Sequence, residues 1–259
     1  MLPNHTFVIL AHKDSIYIEE CIMSIVNQKG SNSEIIMTTS TPSKFLNDIS
    51  EKYNIKMYIN TRKNNYITTD MNFALQTTKT KFVTLVHQDD VYLENYVENI
   101  DFSKDFLIRF TNYKELRDGN IINNNLLLWI KRLILLPFLF KNNIKSQFIK
   151  FICVAFGSTI CCPSVTYNRE RLNDFLFDES FKVSLDWEAW LRISKMEGSF
   201  YYIKKPLILH RIHKDSTTSY GIKENIRYNE DVKILTSIWG QVCAKFIMYF
   251  YQQSMHSNK

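Results

Sequence analysis

Apolar and polar positions over the first ninety residues follow two alternating rhythms. Thr6–Ala11, Glu34–Thr38 and Lys81–His87 are short apolar runs rich in β-formers, and Lys56–Asn60 is a shorter one. Runs of that length predict buried strands. Between them, Ile16–Gln28 sets Ile18, Cys21, Ile22, Ile25 and Val26 at helical spacing. Lys44–Tyr53 and Asp70–Thr77 read as further helices, and Ser40–Ser43 (STPS) as a turn. Strands alternating with helices predict βαβ units and a mostly parallel sheet. Such sheets bind ligands beyond the C-terminal ends of their strands. The places to look are therefore Ala11–Asp14, Thr39–Pro42 and His87–Asp90.

The pattern then changes. Phe106–Thr111 reads as a strand, Tyr113–Asn125 is polar, and Leu126–Phe140 is an apolar helix with a kink expected at Pro137. Trp187–Lys195 reads as a helix, and Phe200–Ile203 and Leu207–His213 as strands. Tyr228–Gln252 is a long helix with Val232, Leu235, Trp239, Val242, Phe246 and Tyr249 on one stripe. No internal repeat and no Gly-, Ser- or Pro-rich linker divides the chain. The expectation is one domain over 1–220, in halves 1–100 and 101–220, followed by a C-terminal helix over 221–259.

Composition narrows the class. The chain has 259 residues, with 18 Phe and 14 Tyr, which excludes disorder for most of it. Six Gly and five Pro exclude collagen-like and low-complexity chains. Five Cys, none at CxxC spacing, exclude a disulfide scaffold and suggest buried free thiols in a reducing cytosol. A net charge of +6 suits an anionic ligand or an anionic membrane surface and does not indicate nucleic acid. The first residues lack the basic start and cleavage site of a secretory leader. Leu126–Phe140 is shorter than the ~20 residues a membrane span needs and carries Lys131 and Arg132 at its middle. A soluble or peripheral protein is expected, cytoplasmic or at the inner face of the membrane. No Asp or Glu occurs from Gly119 to Arg169, so the apolar, basic segment 126–151 is either a core helix with solvated flanks or a helix lying on an anionic bilayer.

Three clusters can carry chemistry. His87-Gln88-Asp89-Asp90 ends an apolar strand; two carboxylates there can hold a hard divalent cation, or Asp90 can cap a helix beginning at Val91 with Asp89 in the turn. Asp186 begins a helix beside Trp187 and Trp190, where it can serve as a general base or simply as an acidic residue at a helix start. Arg211 and His213 fall on one face of a strand end, where they can hold a phosphate, complete a metal shell, or form a polar exit. The motifs of Rossmann dehydrogenases, P-loop enzymes, serine hydrolases and zincins are missing.

In this order along residues 6–220, the motifs resemble those of the family 2 glycosyltransferases, inverting, metal-dependent enzymes of the GT-A fold. FVILAHKDSIYIEECIMSIVNQ is similar to the family's opening strand and helix, with Ser24 and Gln28 kept and His12 and Lys13 where Tyr and Asn are common. EIIMTTSTPS resembles EIIVVDDGS, with Thr39 and Ser40 replacing two acids. Asp70–Ala74 resembles A-R-N-x-G and keeps Asn72. LVHQDD resembles the DxD strand end, with Asp89 at the metal-binding acid and His87 replacing the first. SLDWEAWLRIS resembles E-D-x-x-x-W-x-R, with Asp186 at the catalytic base, and LILHRIHKDSTTS resembles Y-R-x-H-x-x-S, with His213 at the family's His.

The resemblance implies an α/β, GT-A-like fold, with a Rossmann-like nucleotide-binding half, a mixed and mostly parallel sheet, and C-terminal helices. Residues 1–100 would hold the nucleotide-sugar, with Ala11, His12, Ser40, Asn72, His87, Gln88, Asp90 and Arg211 on the donor. Asp89 and His213 would hold Mn2+ or Mg2+. Residues 101–220 would bind a glycan or lipid-linked acceptor, with Trp187 as its platform. A UDP-sugar donor and a role in bacterial surface polysaccharide synthesis are expected. The competing class is a non-catalytic GT-A-like subunit, which the missing acids at Thr39, Ser40 and His87 favour and the retained Asp89, Asp186 and His213 oppose. A nucleotidyltransferase is a more distant alternative, because no Gly-rich, Lys-bearing phosphate loop follows the first strand.

Overall fold

A computed structural model describes residues 3–30, 32–62 and 66–256. The ends of the two outer segments expected from sequence, residues 1 and 259, lie outside these. The alternating N-terminal pattern folds as read: β1 (His5–Ala11), α1 (Ile18–Val26), β2 (Glu34–Thr39), α2 (Lys44–Lys52), β3 (Lys56–Ile59), α3 (Ile67–Thr77) and β4 (Phe82–His87). These four strands are parallel neighbours in the order β3-β2-β1-β4. Along β1, Phe7, Ile9 and Ala11 enter one apolar cluster and Val8 and Leu10 the other. The sheet is thus covered on both faces, which is why its strands read as unbroken apolar runs. In register, Ala11 lies beside Thr39, Thr39 beside Ile59, and Leu10 beside His87, so the C-terminal ends form one edge.

The second half completes the sheet with elements of longer range. β5 (Val91–Tyr92) follows β4 directly, and α4, as expected from Leu126–Phe140, begins only after β6 (Ile108–Arg117) and β7 (Asn120–Ile122). Asp90 therefore caps no helix at Val91. The polar stretch from Tyr113 to Asn125 begins inside β6, which pairs with β10 from Ile108 to Arg117, and turns back in β7. α4 (Leu126–Ile134) and α5 (Pro137–Phe140) divide the apolar segment, with Pro137 opening the second piece, where its missing N–H costs nothing. β8 (Asn143–Ile144), α6 (Gln147–Ile152) and β9 (Val165–Asn168) follow, and β9 runs antiparallel between β4 and β6.

α7 (Leu185–Ser194) precedes β10 (Phe200–Ile212), one strand where two are expected from sequence. Pro206 does not break it, because it sits between two register shifts against β6. α8 (Thr217–Lys223) and α9 (Ile226–His256) close the chain. The stripe expected on α9 holds only as far as Trp239. Gly240 adopts φ 75° and breaks the helical phase. Beyond it Ala244 and Met248 are buried, while Val242, Phe246 and Tyr249 are exposed. Of the five free thiols, four are buried as expected, but Cys243, also past Gly240, is exposed.

Candidate active site

The strand-end edge collects most of the residues singled out from sequence. Gln88 bridges two strands: its Oε1 accepts from the His12 N–H and its Nε2 donates to the His12 carbonyl, both at 2.9 Å. Lys13, at φ 57°, donates its N–H to Thr41 Oγ1 at 2.6 Å, which folds the turn after Ala11 over the end of β2. Ser40 Oγ and Asn60 Nδ2 each donate to a different oxygen of Asp70, at 2.8 Å. A carboxylate from the first turn of α3 thus stands where the end of β2 lacks one. Asp70 is also near enough to oppose the fall in the His12 pKa that burial and Lys13 cause. Sequence reading missed Asp70; its one signal was an acid at the start of a helix whose N-terminus meets the strand ends.

At the end of β4 the side chains of His87, Asp89 and Asp90 each bring a ligand atom within 4.8 Å of the others. Asp90 is fully buried. Its Oδ1 accepts from the Arg211 N–H at 2.8 Å and lies 2.9 Å from His210 Nδ1, while its Oδ2 has no hydrogen-bond partner. Burial by itself would raise the Asp90 pKa, but the His210 ring outweighs it and the net shift is downward. The same pairing raises His210 against its own burial. His87 Nε2 is likewise buried and unpartnered. Two orphaned polar atoms, each able to give a lone pair, beside a second carboxylate, fit a divalent cation held by oxygen and imidazole ligands.

β10 braces this group from behind. His213 Nε2 lies 2.8 Å from Asp89 Oδ2, and the His213 ring packs 5.0 Å from that of Tyr17. His213, expected as a metal ligand, thus stands beside Asp89, and its Nδ1 is buried without a hydrogen-bond partner. Arg211, expected on the donor, is engaged within the protein: Nε donates to the Asp89 carbonyl at 2.8 Å, Nη2 pairs with Glu20, and the guanidinium lies 4.4 Å from the Tyr17 ring centre. These contacts tie the Asp89–Asp90 turn to β10 and α1.

Two further residues expected at the site are turned inward. Asn72 is buried and clamps α3 to the segment before α7: its Nδ2 donates to the Phe177 carbonyl at 3.0 Å, and its Oδ1 accepts from the Phe177 N–H at 2.7 Å. It faces the core, not the strand-end edge. Trp187 is buried too, and its Nε1 donates to the Val154 carbonyl at 2.6 Å. A ring closed off in this way offers no face to an acceptor.

Asp186, the residue before it, is half-buried in the first turn of α7. It accepts from Ser158 Oγ at 3.1 Å and from the Trp187 N–H at 2.7 Å. Cys161 is buried close enough to both Asp90 and Asp186 for each to raise its pKa, after the larger effect of burial. The acids after β4 and the acid on α7 therefore both lie near one buried thiol.

The ground under Asp186 comes from α9. Glu230 is buried, and its carboxylate accepts three backbone N–H groups in succession: Lys182 at 2.7 Å, Val183 at 3.0 Å and Ser184 at 2.8 Å. Asp231 accepts from Ser184 Oγ at 2.6 Å; burial, followed by neighbours including Asp186, raises its pKa. Neither acid was singled out from sequence, where the apolar stripe of the helix drew the reading away from an adjacent acidic pair.

Against known proteins, residues 6–100 match Glycosyl transferase family 2. An uncharacterized glycosyltransferase of Rickettsia prowazekii is 25% identical over 238 residues, covering 88% of this chain and 70% of its own. Its counterpart in Rickettsia typhi is 24% identical over 236 residues, covering 87% and 69%. Among solved structures, S. aureus TarS is similar with a TM-score of 0.61 at 15% identity over 92% of this chain. This chain spans 43% of that one. TarS 1-349 in complex with UDP-GlcNAc gives 0.61 at 15% identity, covering 92% of this chain and 72% of its own. The mannosyltransferase PcManGT from Pyrobaculum calidifontis, in complex with GDP-Man and Mn2+, gives 0.61 at 10% identity, covering 99% and 75%. At these identities the structural likeness establishes the GT-A fold alone.

Proposed function

We propose that this chain, whose residues 6–100 match Glycosyl transferase family 2 and which is similar to glycosyltransferases along most of its length, transfers a hexosyl group from a nucleoside-diphosphate sugar to a hydroxyl of a glycan or lipid-linked acceptor, with inversion. The observation that carries this reading is the His87–Asp89–Asp90 group at the end of β4, with the half-buried Asp186 near the same buried Cys161. A cation bound at that group would neutralise the diphosphate oxygens and stabilise the departing nucleoside diphosphate.

The donor lies along the strand-end edge in this account. Its diphosphate is at Asp89 and its nucleoside passes the His12–Gln88 bridge towards Asp70. A carboxylate there can accept an N–H from the base, as uracil N3 or guanine N1 offers; a UDP-sugar is the proposed donor. Asp186 takes the proton of the acceptor hydroxyl. That oxygen forms a bond to the anomeric carbon as the carbon–oxygen bond to the diphosphate breaks, and the electron pair leaves with the diphosphate. Attack from the face opposite the leaving group inverts the centre without a covalent enzyme intermediate.

The imidazole of His87, in place of a carboxylate, favours Mn2+ over Mg2+ at this group, because nitrogen ligands suit first-row transition ions better than Mg2+. Surface polysaccharide synthesis is the biological setting proposed, from the resemblance to family 2 glycosyltransferases. The test is the release of nucleoside diphosphate from UDP-sugars with a panel of glycan and lipid-linked acceptors. Asp186→Asn should keep donor binding and lose about 10²-fold or more in turnover, the scale of a general base. Near-normal turnover in that variant removes Asp186 from the role.

A further inference from the structure

The helix α4 is inside out. Its cations face the protein: Lys131 Nζ donates to the Tyr113 hydroxyl at 3.0 Å, and Arg132 bonds the Tyr113 carbonyl at 3.3 Å and the Asn124 side chain. Its apolar side chains Leu126, Trp129, Leu133 and Leu136 are exposed. Their spacing of three, four and three residues places them on one stripe. Leu128, Leu135 and Phe138 alone turn inward and are buried. The stripe continues past Pro137 to Phe140, which is 86% exposed, and Phe148 on α6 is 72% exposed. Single exposed apolar residues are ordinary on a protein surface, but a stripe along α4 followed in the chain by two open aromatic rings marks a binding face.

The charge around the stripe identifies what it meets. Residues 119–169 hold no Asp or Glu; Lys141, next to Phe140, is exposed, and so is Lys145, which shares a hollow with Lys104 and Arg171 but also with Asp105 and Glu197. Lys204 reaches over from β10 to the Leu139 carbonyl at 2.5 Å. A second copy of the chain would bring the same cations against themselves in a self-complementary contact, which repulsion opposes. An anionic bilayer offers negative headgroups to the lysines and an acyl boundary to Trp129, Leu133 and Phe140. Among the described residues no helix is long and apolar enough to cross a membrane, so the contact lies along the surface.

We propose that the outer face of α4, α5 and α6 seats the protein on an anionic lipid surface. The inference rests on the exposed stripe and the charge around it, not on the glycosyltransferase reading, so either can fail without the other. Lys131 and Arg132, held against the protein, are not the contacts; the open residues are.

Co-sedimentation with phosphatidylcholine vesicles, with and without phosphatidylglycerol, tests it. The protein should bind the anionic vesicles and not the neutral ones, and more weakly as salt rises. Trp129→Ser with Phe140→Ser should lower the binding at least tenfold, and so should Lys141→Glu with Lys145→Glu, both with an unchanged melting temperature because the side chains are exposed. Absence of binding to anionic vesicles at low salt overturns the proposal. So does equal binding to both vesicle types, or binding that both pairs of substitutions leave intact. A dimer in sedimentation equilibrium that the Trp129 and Phe140 substitutions abolish, without vesicle binding, gives the face to a second copy and overturns it as well.

Discussion

Replacing Glu230 with alanine removes the acceptor of three consecutive backbone N–H groups, those of Lys182, Val183 and Ser184. The Ser184 bond is buried and the other two are partly so. At about 2 kcal/mol for the buried donor and about 1 for each of the others, the loss is about 4 kcal/mol. For a domain of this size that corresponds to a fall in melting temperature of roughly 8–16 °C. The consequence reaches the site, because Ser184 is two residues before Asp186 and the released segment opens α7. Thermal unfolding by circular dichroism and steady-state turnover on the same sample measure both effects. The variant should keep metal-dependent nucleotide binding, which depends on the far end of the sheet, while kcat falls with little change in the donor KM. Glu230→Gln retains one acceptor oxygen and should lose about half as much stability. A melting temperature within about 2 °C of wild type, or a loss of nucleotide binding equal to the loss of kcat, refutes the reasoning.

Other consequences are as direct. His5 is buried between Ser33 and Thr84, and burial lowers its pKa to about 3. The unfolded chain takes up a proton near pH 6.5 that the folded one refuses, so stability falls as pH drops from 6.5 towards 3; between pH 7 and 5 the loss is about 2 kcal/mol. Urea unfolding at the two pH values should show it, and His5→Gln should remove that part of the pH dependence; an equal dependence in the variant contradicts the assignment. Trp187→Phe leaves the Val154 carbonyl unpaired and should cost about 1–2 kcal/mol with the acceptor KM unchanged; a raised KM without a fall in melting temperature would return Trp187 to the acceptor site. Asp70→Ala should weaken UDP binding about tenfold, the loss of one charge-assisted hydrogen bond, while Mn2+ affinity holds. Equal UDP affinity in titration calorimetry would take Asp70 out of the donor site.

The first four strands and their helices were legible because a parallel sheet covered on both faces writes its strands as continuous apolar runs, and Phe7 and Val8 need no knowledge of their partners to be read. β9 was not legible. Val-Thr-Tyr-Asn becomes a strand only because β4 and β6 lie on either side of it. Pro206 looks like a strand breaker until the register shifts that accommodate it are seen. The acid cluster at His87–Asp90 could be found from residue type and its place at a strand end. That Asn72 and Trp187 point inward was not legible, because residue type does not tell which way a helical side chain faces. Glu230 lies more than forty residues from the segment it holds, a pairing that no local pattern announces.

The central claim is that the end of β4 holds a nucleotide through a metal. Thermal shift of the wild-type chain and of Asp89→Asn with UDP, GDP, UDP-sugars and GDP-sugars, each with and without Mn2+, measures it directly. A nucleotide at about 100 times its dissociation constant adds about 2.7 kcal/mol. The account predicts a rise in melting temperature that needs Mn2+, is larger for one base than for the other, and is lost in Asp89→Asn. No shift with any nucleotide, or a shift that neither the absence of Mn2+ nor the loss of the Asp89 carboxylate changes, would contradict it.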